Sequence, residues 1–306
     1  MLFRSEMSAL DAIGYKAKLR KNLPLPMKTV GAVSFQEQAQ FHPLKFLSVL
    51  AKDLNILEQT RVREMKGRTA VCESGKIRAE RVIVTTHYPF INKHGGFFLK
   101  LYQSRSCVIA LEHAQDVNGI YLDESGSGLS FRNYGGLLLM GGGSHRTGKK
   151  CGGKDELRNL AEVYYPQAEE KYCWSAQDCI SLDGMPYIGE YSKGTNGLYT
   201  ASGFNKWGMT GAMLSAMLLS DIVTDTENEY AELFDPSRSI LRRQLAVNIT
   251  ESAAGLLKPS KKRCPHMGCA LSRNEEEHSW DCSCHGSRFS GSGRLLDNPA
   301  NRSLEK

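Results

Sequence analysis

The sequence predicts a mixed α/β (α+β) chain that ends in a compact module rich in cysteine and histidine. Segments with helical spacing alternate with short β-branched runs through most of the chain, which is typical of mixed folds. The clearest β-branched run, Arg81 to Thr86, is of the kind that forms a buried strand. Near the carboxyl end, two short segments each hold a cysteine beside a histidine.

Length and composition are those of an ordinary globular protein. The chain has 306 residues, of which 41% are hydrophobic and 24% charged, so it can form one large domain or two smaller ones. The net charge of +6 is mild and includes no dense basic stripe, which argues against a nucleic-acid partner. No targeting segment is evident, and the most apolar stretch, Ala212 to Val223, is too short to span a bilayer. We therefore predict a cytoplasmic protein without a membrane span.

Helical and strand patterns alternate in the first third of the chain. Leucines at 44, 47, 50 and 54 recur at helical spacing and predict an amphipathic helix. His42, just before it, is better explained as a helix cap or packing residue than as a ligand. Short strands with a tight turn are predicted between Ile56 and Ile77, and Arg81 to Thr86 is predicted to be buried on both faces.

A second group of strands forms a separate predicted sheet. Its members are Ser104 to Glu112, Gly119 to Asp123, Ser130 to Asn133 and Leu137 to Gly141. The glycine-rich segment Gly141 to Gly148 lacks the spacing of a phosphate-binding loop, so it is predicted to be a flexible turn. A helix is predicted from Lys154 to Tyr165.

A glycine-flanked loop opens the next predicted helix. Leu198 to Ser202 is predicted as a buried strand, the loop covers Gly203 to Thr210, and the helix runs from Gly211 to Val223. The first turn of a helix offers free N–H groups and the positive end of the helix dipole. Such an arrangement suits the ring carbonyl, ribityl or phosphate oxygens of a flavin.

The carboxyl-terminal motifs carry the most specific chemistry. Cys264-Pro265-His266 gives the pattern C-x-H, and Cys282 to His285 gives C-x-x-H. Two thiolates and two imidazoles in paired loops match a mixed-ligand two-iron, two-sulfur centre, in which sulfur holds one iron and nitrogen the other. Zinc is the alternative, because Cys/His clusters most often bind zinc. A zinc finger or ribbon would pair C-x-x-C with H-x-x-x-H or with a second C-x-x-C, and neither pairing is present here.

These motifs, including the ending C-H-G-S, resemble the Rieske family. The resemblance implies that Cys264 and Cys282 bind one iron and that His266 and His285 bind the other.

Further positions near the motifs also match that family. Cys269 and Cys284 match positions that form a disulfide in some Rieske proteins. Ser287 matches the serine whose hydroxyl bonds the cluster and raises its potential. Phe289 stands where high-potential members often carry tyrosine, which implies a lower potential here. The remaining cysteines are predicted to be ordinary packing thiols: Cys72, Cys107, Cys151, Cys173 and Cys179.

The rest of the chain resembles the D-amino-acid-oxidase-like family of FAD-dependent oxidoreductases. The matching features are Val82 to Thr86, Asp183 to Pro186 with Ile188-Gly189, and Gly203-Phe204 with Gly208-Met209. Three further segments resemble a bacterial subgroup in which this fold carries a carboxyl-terminal Rieske domain: Gln38 to Pro43, Gly142 to Gly148 and Gly203 to Thr210. The implied flavin-contacting residues are Thr85, Thr86, Gly203, Phe204, Asn205, Lys206, Trp207, Gly208, Met209 and Thr210.

Two features of these families do not appear in the sequence. The start of the chain shows no G-x-G-x-x-G turn with a following acidic residue, the usual pyrophosphate and ribose site. Few residues separate Leu257 from Cys264, where the Rieske family places several strands. The expected organisation is a truncated FAD/NAD(P)-binding domain with a mixed substrate-domain sheet at 1–245, a linker at 246–263 and a partial, all-β Rieske module at 264–306.

The resemblance implies a flavin-dependent oxidoreductase. An amine or amino acid would deliver a hydride to FAD, and the electrons would leave singly through the cluster to an unknown partner. Tyr102, His145 and Trp174 are candidates to face this small-molecule substrate, although residues of this kind are more often packing or loop residues. No general base stands out. The alternatives are an electron-transfer module without flavin activity, a zinc-binding interaction protein and a non-functional shortened relative.

Overall fold

The computed structural model describes residues 2–124, 128–150 and 152–305, so Cys151 lies outside the described residues. The chain divides into two compact units. The first unit comprises Met1–Asn55, Cys107–Ser144 and Gly152–Ser175, and the second comprises Ile56–Ser106, His145–Cys151 and Ala176–Lys306. Both predicted cofactor sites therefore fall in the second unit.

The helices of the described residues are α1 (Leu2–Ala12), α2 (Pro43–Leu50), α3 (Phe97–Lys100), α4 (Gly153–Tyr164), α5 (Gly208–Val223), α6 (Ala231–Phe234) and α7 (Arg243–Leu257), with a 3₁₀ turn at Ala51–Asp53. Within residues 2–124, 128–150 and 152–305, none of the helices combines the length and apolar character needed to cross a bilayer.

The strands are β1 (Lys18–Arg20), β2 (Ala32–Ser34), β3 (Val62–Lys66), β4 (Thr69–Cys72), β5 (Gly75–Arg78), β6 (Val82–Val84), β7 (Leu101–Glu112), β8 (Tyr121–Leu122), β9 (Ser130–Tyr134), β10 (Leu137–Arg146), β11 (Glu169–Ser181), β12 (Tyr187–Glu190), β13 (Leu198–Ser202), β14 (Leu271–Asn274), β15 (Ser279–Cys282), β16 (Arg288–Ser290) and β17 (Leu295–Asp297). The largest sheet has the order β11-β7-β10-β9-β8, which confirms the predicted separate sheet.

The first unit packs α4 against an apolar core that includes Ile109, Phe131, Leu138 and Leu157. The predicted turn at Gly141 to Gly148 is wrong, because β10 continues as a strand to Arg146. The glycines of β10 allow neighbouring backbone to approach the strand closely. A Cβ at Gly143, for example, would lie 2.4 Å from the Gly153 backbone.

The helix predicted from the leucine spacing is α2, and it is shorter than that spacing suggested. His42 is its N-cap, with Nδ1 accepting a hydrogen bond of 3.3 Å from the Lys45 N–H, which confirms the predicted cap. Leu54 lies beyond the helix, after the 3₁₀ turn. None of the α2 residues is buried, so its apolar face covers no core in the described chain.

In the second unit, a small sheet of order β12-β13-β6 leads into α5. β13 runs parallel to β6, with Thr200 opposite Val84. The prediction that Arg81 to Thr86 is buried on both faces is wrong. Among the described strands β6 is an edge strand of three residues, and Ile83 is 43% exposed.

The carboxyl-terminal residues form the antiparallel sheet β14-β15-β16-β17, around a core that includes Leu271, Phe289 and Ala300. The segment predicted as a linker, 246–263, is helical as far as Leu257, since α7 occupies Arg243–Leu257. Residues 258–263 then connect α7 to an isolated bridge between Arg263 and Ala270.

Candidate functional site

Two loops of the carboxyl-terminal sheet share one hydrogen-bond pattern. The first cluster loop, residues 264–269, is closed by Cys264 N–H to Cys269 C=O and by Gly268 N–H to Cys264 C=O, both at 2.8 Å. The second cluster loop, residues 282–287, repeats both bonds at 2.9 Å, from Cys282 N–H to Ser287 C=O and from Gly286 N–H to Cys282 C=O. Gly268 and Gly286 have positive φ angles of 79° and 90°, which glycine adopts without strain.

The sulfur side of the site is fully buried. Cys264 is 2% exposed and Cys282 is 0% exposed. Hydrogen bonds from the thiols of Cys264, Cys269 and Cys284 hold the pKa of Cys282 well below its usual range. Because the thiolate is the form that binds metal, this environment favours a ligand at Cys282.

Ser287 lies beside the Cys264 sulfur. Its hydroxyl oxygen accepts a hydrogen bond of 2.9 Å from the Ala300 N–H. The Ser287 side chain hydrogen-bonds Cys264, which opposes the rise in the pKa of that thiol caused mainly by Cys282. The hydroxyl proton is therefore directed to sulfur, as the predicted role of Ser287 requires.

The nitrogen side consists of two adjacent imidazoles. The ring centroids of His266 and His285 lie 4.8 Å apart with an interplanar angle of 88°. Among the described residues, the Nδ1 atoms of both rings are buried without a hydrogen-bond partner. Burial, followed by the neighbouring His285, lowers the pKa of His266 to about 3, so the ring stays neutral. Neutral imidazoles with orphaned nitrogens are the form and geometry that a metal ligand needs.

A further pair of thiols lies next to this site. The Sγ atoms of Cys269, Cys282 and Cys284 all lie within 4.8 Å of one another. Cys269 and Cys284 are free thiols in the structure, and their disulfide stays a prediction. Helix α7 covers them: a Cβ at Gly255 would lie 2.3 Å from Cys284 Sγ, so only glycine fits there.

Arg146 braces the second cluster loop from outside the motif. Its Nε donates to the Ser283 carbonyl and its Nη2 to the Cys284 carbonyl, both at 2.7 Å. Its Nη1 donates to Asn248 Oδ1 of α7 at 2.9 Å, and the guanidinium lies 4.7 Å from the Tyr102 ring centroid. The sequence reasoning missed this role, although Arg146 lies in the segment Gly142 to Gly148 that resembled the fused subgroup.

The predicted flavin loop borders a cavity of about 610 Å³. Of the predicted residues, Thr85, Gly203 and Phe204 line it, together with apolar side chains of β6 and α5. Gly203 has a φ of 75°, and an added Cβ would lie 3.1 Å from Leu101 Cδ2. On the α5 side the cavity runs from Ala212 to Val223, so it follows the length of the helix, and the first turn is not part of its lining.

The other predicted flavin residues have different surroundings. Asn205 Oδ1 accepts from the Ser181 N–H at 2.9 Å, and Lys206 Nζ donates to Ser106 Oγ at 2.6 Å. The Trp207 side chain is 61% exposed. The first turn of α5 contains Gly208, Met209 and Thr210, so the helix begins three residues earlier than predicted. Thr86 donates its hydroxyl to the Tyr88 carbonyl at 3.0 Å.

The three substrate-side candidates lie on neighbouring strands of the large sheet. Tyr102 is on β7, His145 on β10 and Trp174 on β11. Tyr102 stacks against Arg146, and the His145 carbonyl accepts from Ser104 Oγ at 3.4 Å. Trp174 belongs to the first unit and is 41% exposed. Their contact with substrate stays a prediction.

Comparison with known proteins identifies two families in the chain. The model of the FAD dependent oxidoreductase family (DAO) matches residues 7–222, and the Rieske [2Fe-2S] domain matches residues 224–306. The chain belongs to the FAD dependent oxidoreductase family and carries a Rieske domain at its carboxyl end. It is thus an oxidoreductase of the kind that uses FAD and a two-iron, two-sulfur cluster. The predicted boundaries at 245 and 263 stay predictions.

Individual relatives support both assignments. The chain is 31% identical to the protein YhfW of Bacillus subtilis (strain 168), named for a Rieske 2Fe-2S iron-sulfur protein, over 364 positions that cover 99% of this chain and 71% of the relative. Glycine oxidase from Geobacillus kaustophilus has the same fold, with a TM-score of 0.67, 20% identity and coverage of 78% of this chain and 71% of that one. L-proline dehydrogenase from P. horikoshii is similar at a TM-score of 0.64 and 16% identity, with coverage of 77% and 72%.

Proposed function

We propose that this chain oxidises an amine or amino acid and passes the electrons between FAD and a Rieske cluster. The cluster ligands are Cys264 and Cys282 on one iron and His266 and His285 on the other. When bound, FAD would supply a two-electron acceptor for the hydride on the carbon next to the substrate nitrogen, which would leave an imine, and the cluster would supply a one-electron carrier. The observation that carries the proposal is the pair of buried, unpartnered Nδ1 atoms, found among the described residues, in loops that also hold the buried thiols.

Different residues of the chain would serve the cluster and the flavin. Cys282 is held towards the thiolate by its thiol neighbours, and both imidazoles are kept neutral chiefly by burial. Gly203 borders the cavity, and its lack of a Cβ lets Leu101 and Ser181 pack closely against it. The free N–H groups in the first turn of α5 would face a flavin carbonyl. Among the described residues, the cavity lining is mostly apolar and would exclude water from the bound ring.

The substrate class is supported by the fold. Two solved structures of this fold are named for enzymes that act on glycine and on L-proline. In this chain the faces of β7 and β10 that carry Tyr102 and His145 would present the substrate side. The transfer of electrons to a separate redox partner and the cytoplasmic location both stay predictions.

An electron-transfer module without flavin activity is the second candidate. The observation that favours it is that each cluster loop is closed by its own backbone hydrogen bonds, without residues of the cavity. Such a protein would hold iron and sulfide but no FAD.

The test is an absorbance spectrum with iron, acid-labile sulfide and flavin contents on anaerobically purified protein. We expect both flavin bands and cluster absorbance, and a Rieske-type paramagnetic signal after reduction. Glycine, L-proline and simple secondary amines are then added without oxygen, and reduction of the flavin followed by that of the cluster supports the proposal. Protein with cluster but no flavin even after FAD is added supports the second candidate, and protein with zinc and no iron contradicts both.

A further inference from the structure

The two imidazoles of the cluster site differ at the nitrogen that faces away from the metal. His266 Nε2 lies 2.8 Å from Asn92 Oδ1. His285 is 2% exposed, and its Nε2 has no hydrogen-bond partner among the described residues. The Nδ1 atoms of the two rings are alike, since both are buried and unpartnered within the described chain. The clearest difference between the two rings is therefore the side-chain contact of His266 with Asn92. Burial lowers the pKa of His285, and a backbone hydrogen bond with Phe98 opposes that shift.

The contact with Asn92 sets the tautomer of His266. An amide oxygen only accepts hydrogen bonds, so the shared proton must lie on His266 Nε2. A neutral imidazole with its proton on Nε2 has its lone pair on Nδ1, the atom left free for iron. An acceptor on the distal N–H also orients the ring and makes the imidazole a more basic ligand.

We propose that Asn92 is a positioning residue for His266, which makes this imidazole a stronger electron donor and lowers the reduction potential of the cluster. The inference rests on the proposed ligation of iron by His266. A more electron-rich ligand stabilises the oxidised cluster, which carries more positive charge, over the reduced one. The effect on potential is therefore downward.

The segment that carries Asn92 also lines the flavin cavity. It leaves β6 at Thr85, and Thr85 and His87 face the cavity. Next, Tyr88 is fully buried, its hydroxyl donates to the Phe97 carbonyl at 3.2 Å, and its ring lies 6.3 Å from the His266 ring. The segment then reaches Asn92. The segment that contacts His266 therefore continues directly from the cavity lining, whereas the ring centroid of His285 lies 6.4 Å from that of Phe98.

The test compares N92D and N92L in the iron-loaded protein, with N196D as the matched control. Aspartate keeps the shape and makes the acceptor anionic, whereas leucine removes the acceptor and its apolar side chain keeps water from replacing it. Asn196 is exposed in the turn before β13. Dithionite titrations with redox mediators, followed by the paramagnetic signal of the reduced cluster, give each potential.

We expect N92D to lower and N92L to raise the potential, each by up to about tenfold in the one-electron equilibrium, which is about 59 mV. N196D leaves it unchanged. Shifts of N92D and N92L in the same direction, or shifts no larger than that of N196D, overturn the inference alone. Because dithionite replaces substrate and flavin, a protein without flavin activity still tests Asn92. Wild-type protein without iron overturns the cluster half of the proposed function together with this inference.

Discussion

The two proposed cofactor sites of the second unit are constructed in opposite ways. In the cluster loops, each ligand pair belongs to one short motif, and each loop is closed by its own two backbone hydrogen bonds. The flavin cavity is lined by separate segments, from β6, β13 and α5, and its loop leaves Trp207 61% exposed. The difference shows that the cluster site carries most of its scaffold locally, while the flavin site depends on residues far apart in the sequence.

Loss of a cluster ligand is the change with the largest expected effect. We predict that C282A abolishes the cluster, because Cys282 is the thiol whose surroundings stabilise the thiolate. The measured iron and sulfide contents should fall to background, while the flavin content stays unchanged. The control is C173A, a half-buried cysteine on β11. Full iron retention in C282A would contradict the assignment of this ligand.

The same contrast explains what the sequence could predict. The donor atoms of the proposed cluster site could be predicted because C-x-H and C-x-x-H are contiguous and their loop geometry follows from the glycines. Arg146 and Asn92 could not, because each reaches a cluster loop from a distant segment, and no local pattern requires an arginine or asparagine there.

The fold was predictable to a similar degree. Four of the five strands of the large sheet and helix α4 were predicted from periodicity, whereas β11 was not. The position of β6 at a sheet edge could not be predicted, since a three-residue apolar strand has the same sequence pattern whether it pairs with one strand or with two. Helix α7 was not predicted, because the residues before and including the basic run from Lys258 were assigned to a linker. The packing of α7 over the cluster loops depends on Gly255, and glycine has a low helix propensity.

Crowding the backbone that borders the proposed flavin cavity should separate the two sites. We predict that G203A lowers the bound FAD severalfold and leaves iron content unchanged. The alanine methyl would lie 3.1 Å from Leu101 Cδ2 and 3.3 Å from Ser181 Cβ, at a φ of 75° that costs an alanine about 1 kcal/mol. Flavin and iron contents of one preparation give both readouts. A parallel loss of iron would mean that the cluster loops depend on the cavity.

Crowding the helix that covers the cluster loops should have a smaller effect. We predict that G255A destabilises the protein by about 1–3 kcal/mol, since its Cβ would meet Cys284 Sγ at 2.3 Å and force α7 away. G208A is the matched control, because at that helical glycine no described atom lies within 4 Å of an added Cβ. Urea unfolding of both variants measures the difference. Equal free energies of unfolding for G255A and G208A would show that the cluster loops do not depend on close packing of α7.

The smallest expected effect is electronic and leaves the fold intact. Removal of the Ser287 hydroxyl in S287A takes a hydrogen bond from the Cys264 sulfur, which leaves more electron density on the ligand and favours the oxidised cluster. We therefore expect a lower reduction potential at unchanged iron content, measured by the same dithionite titration. S292A is the control, since Ser292 is exposed and bonds Ser290 at 2.8 Å. If S287A instead lost its iron, the hydroxyl would be needed to build the site, through its bond to the Ala300 N–H, and the local scaffold of the cluster loops would extend to that residue.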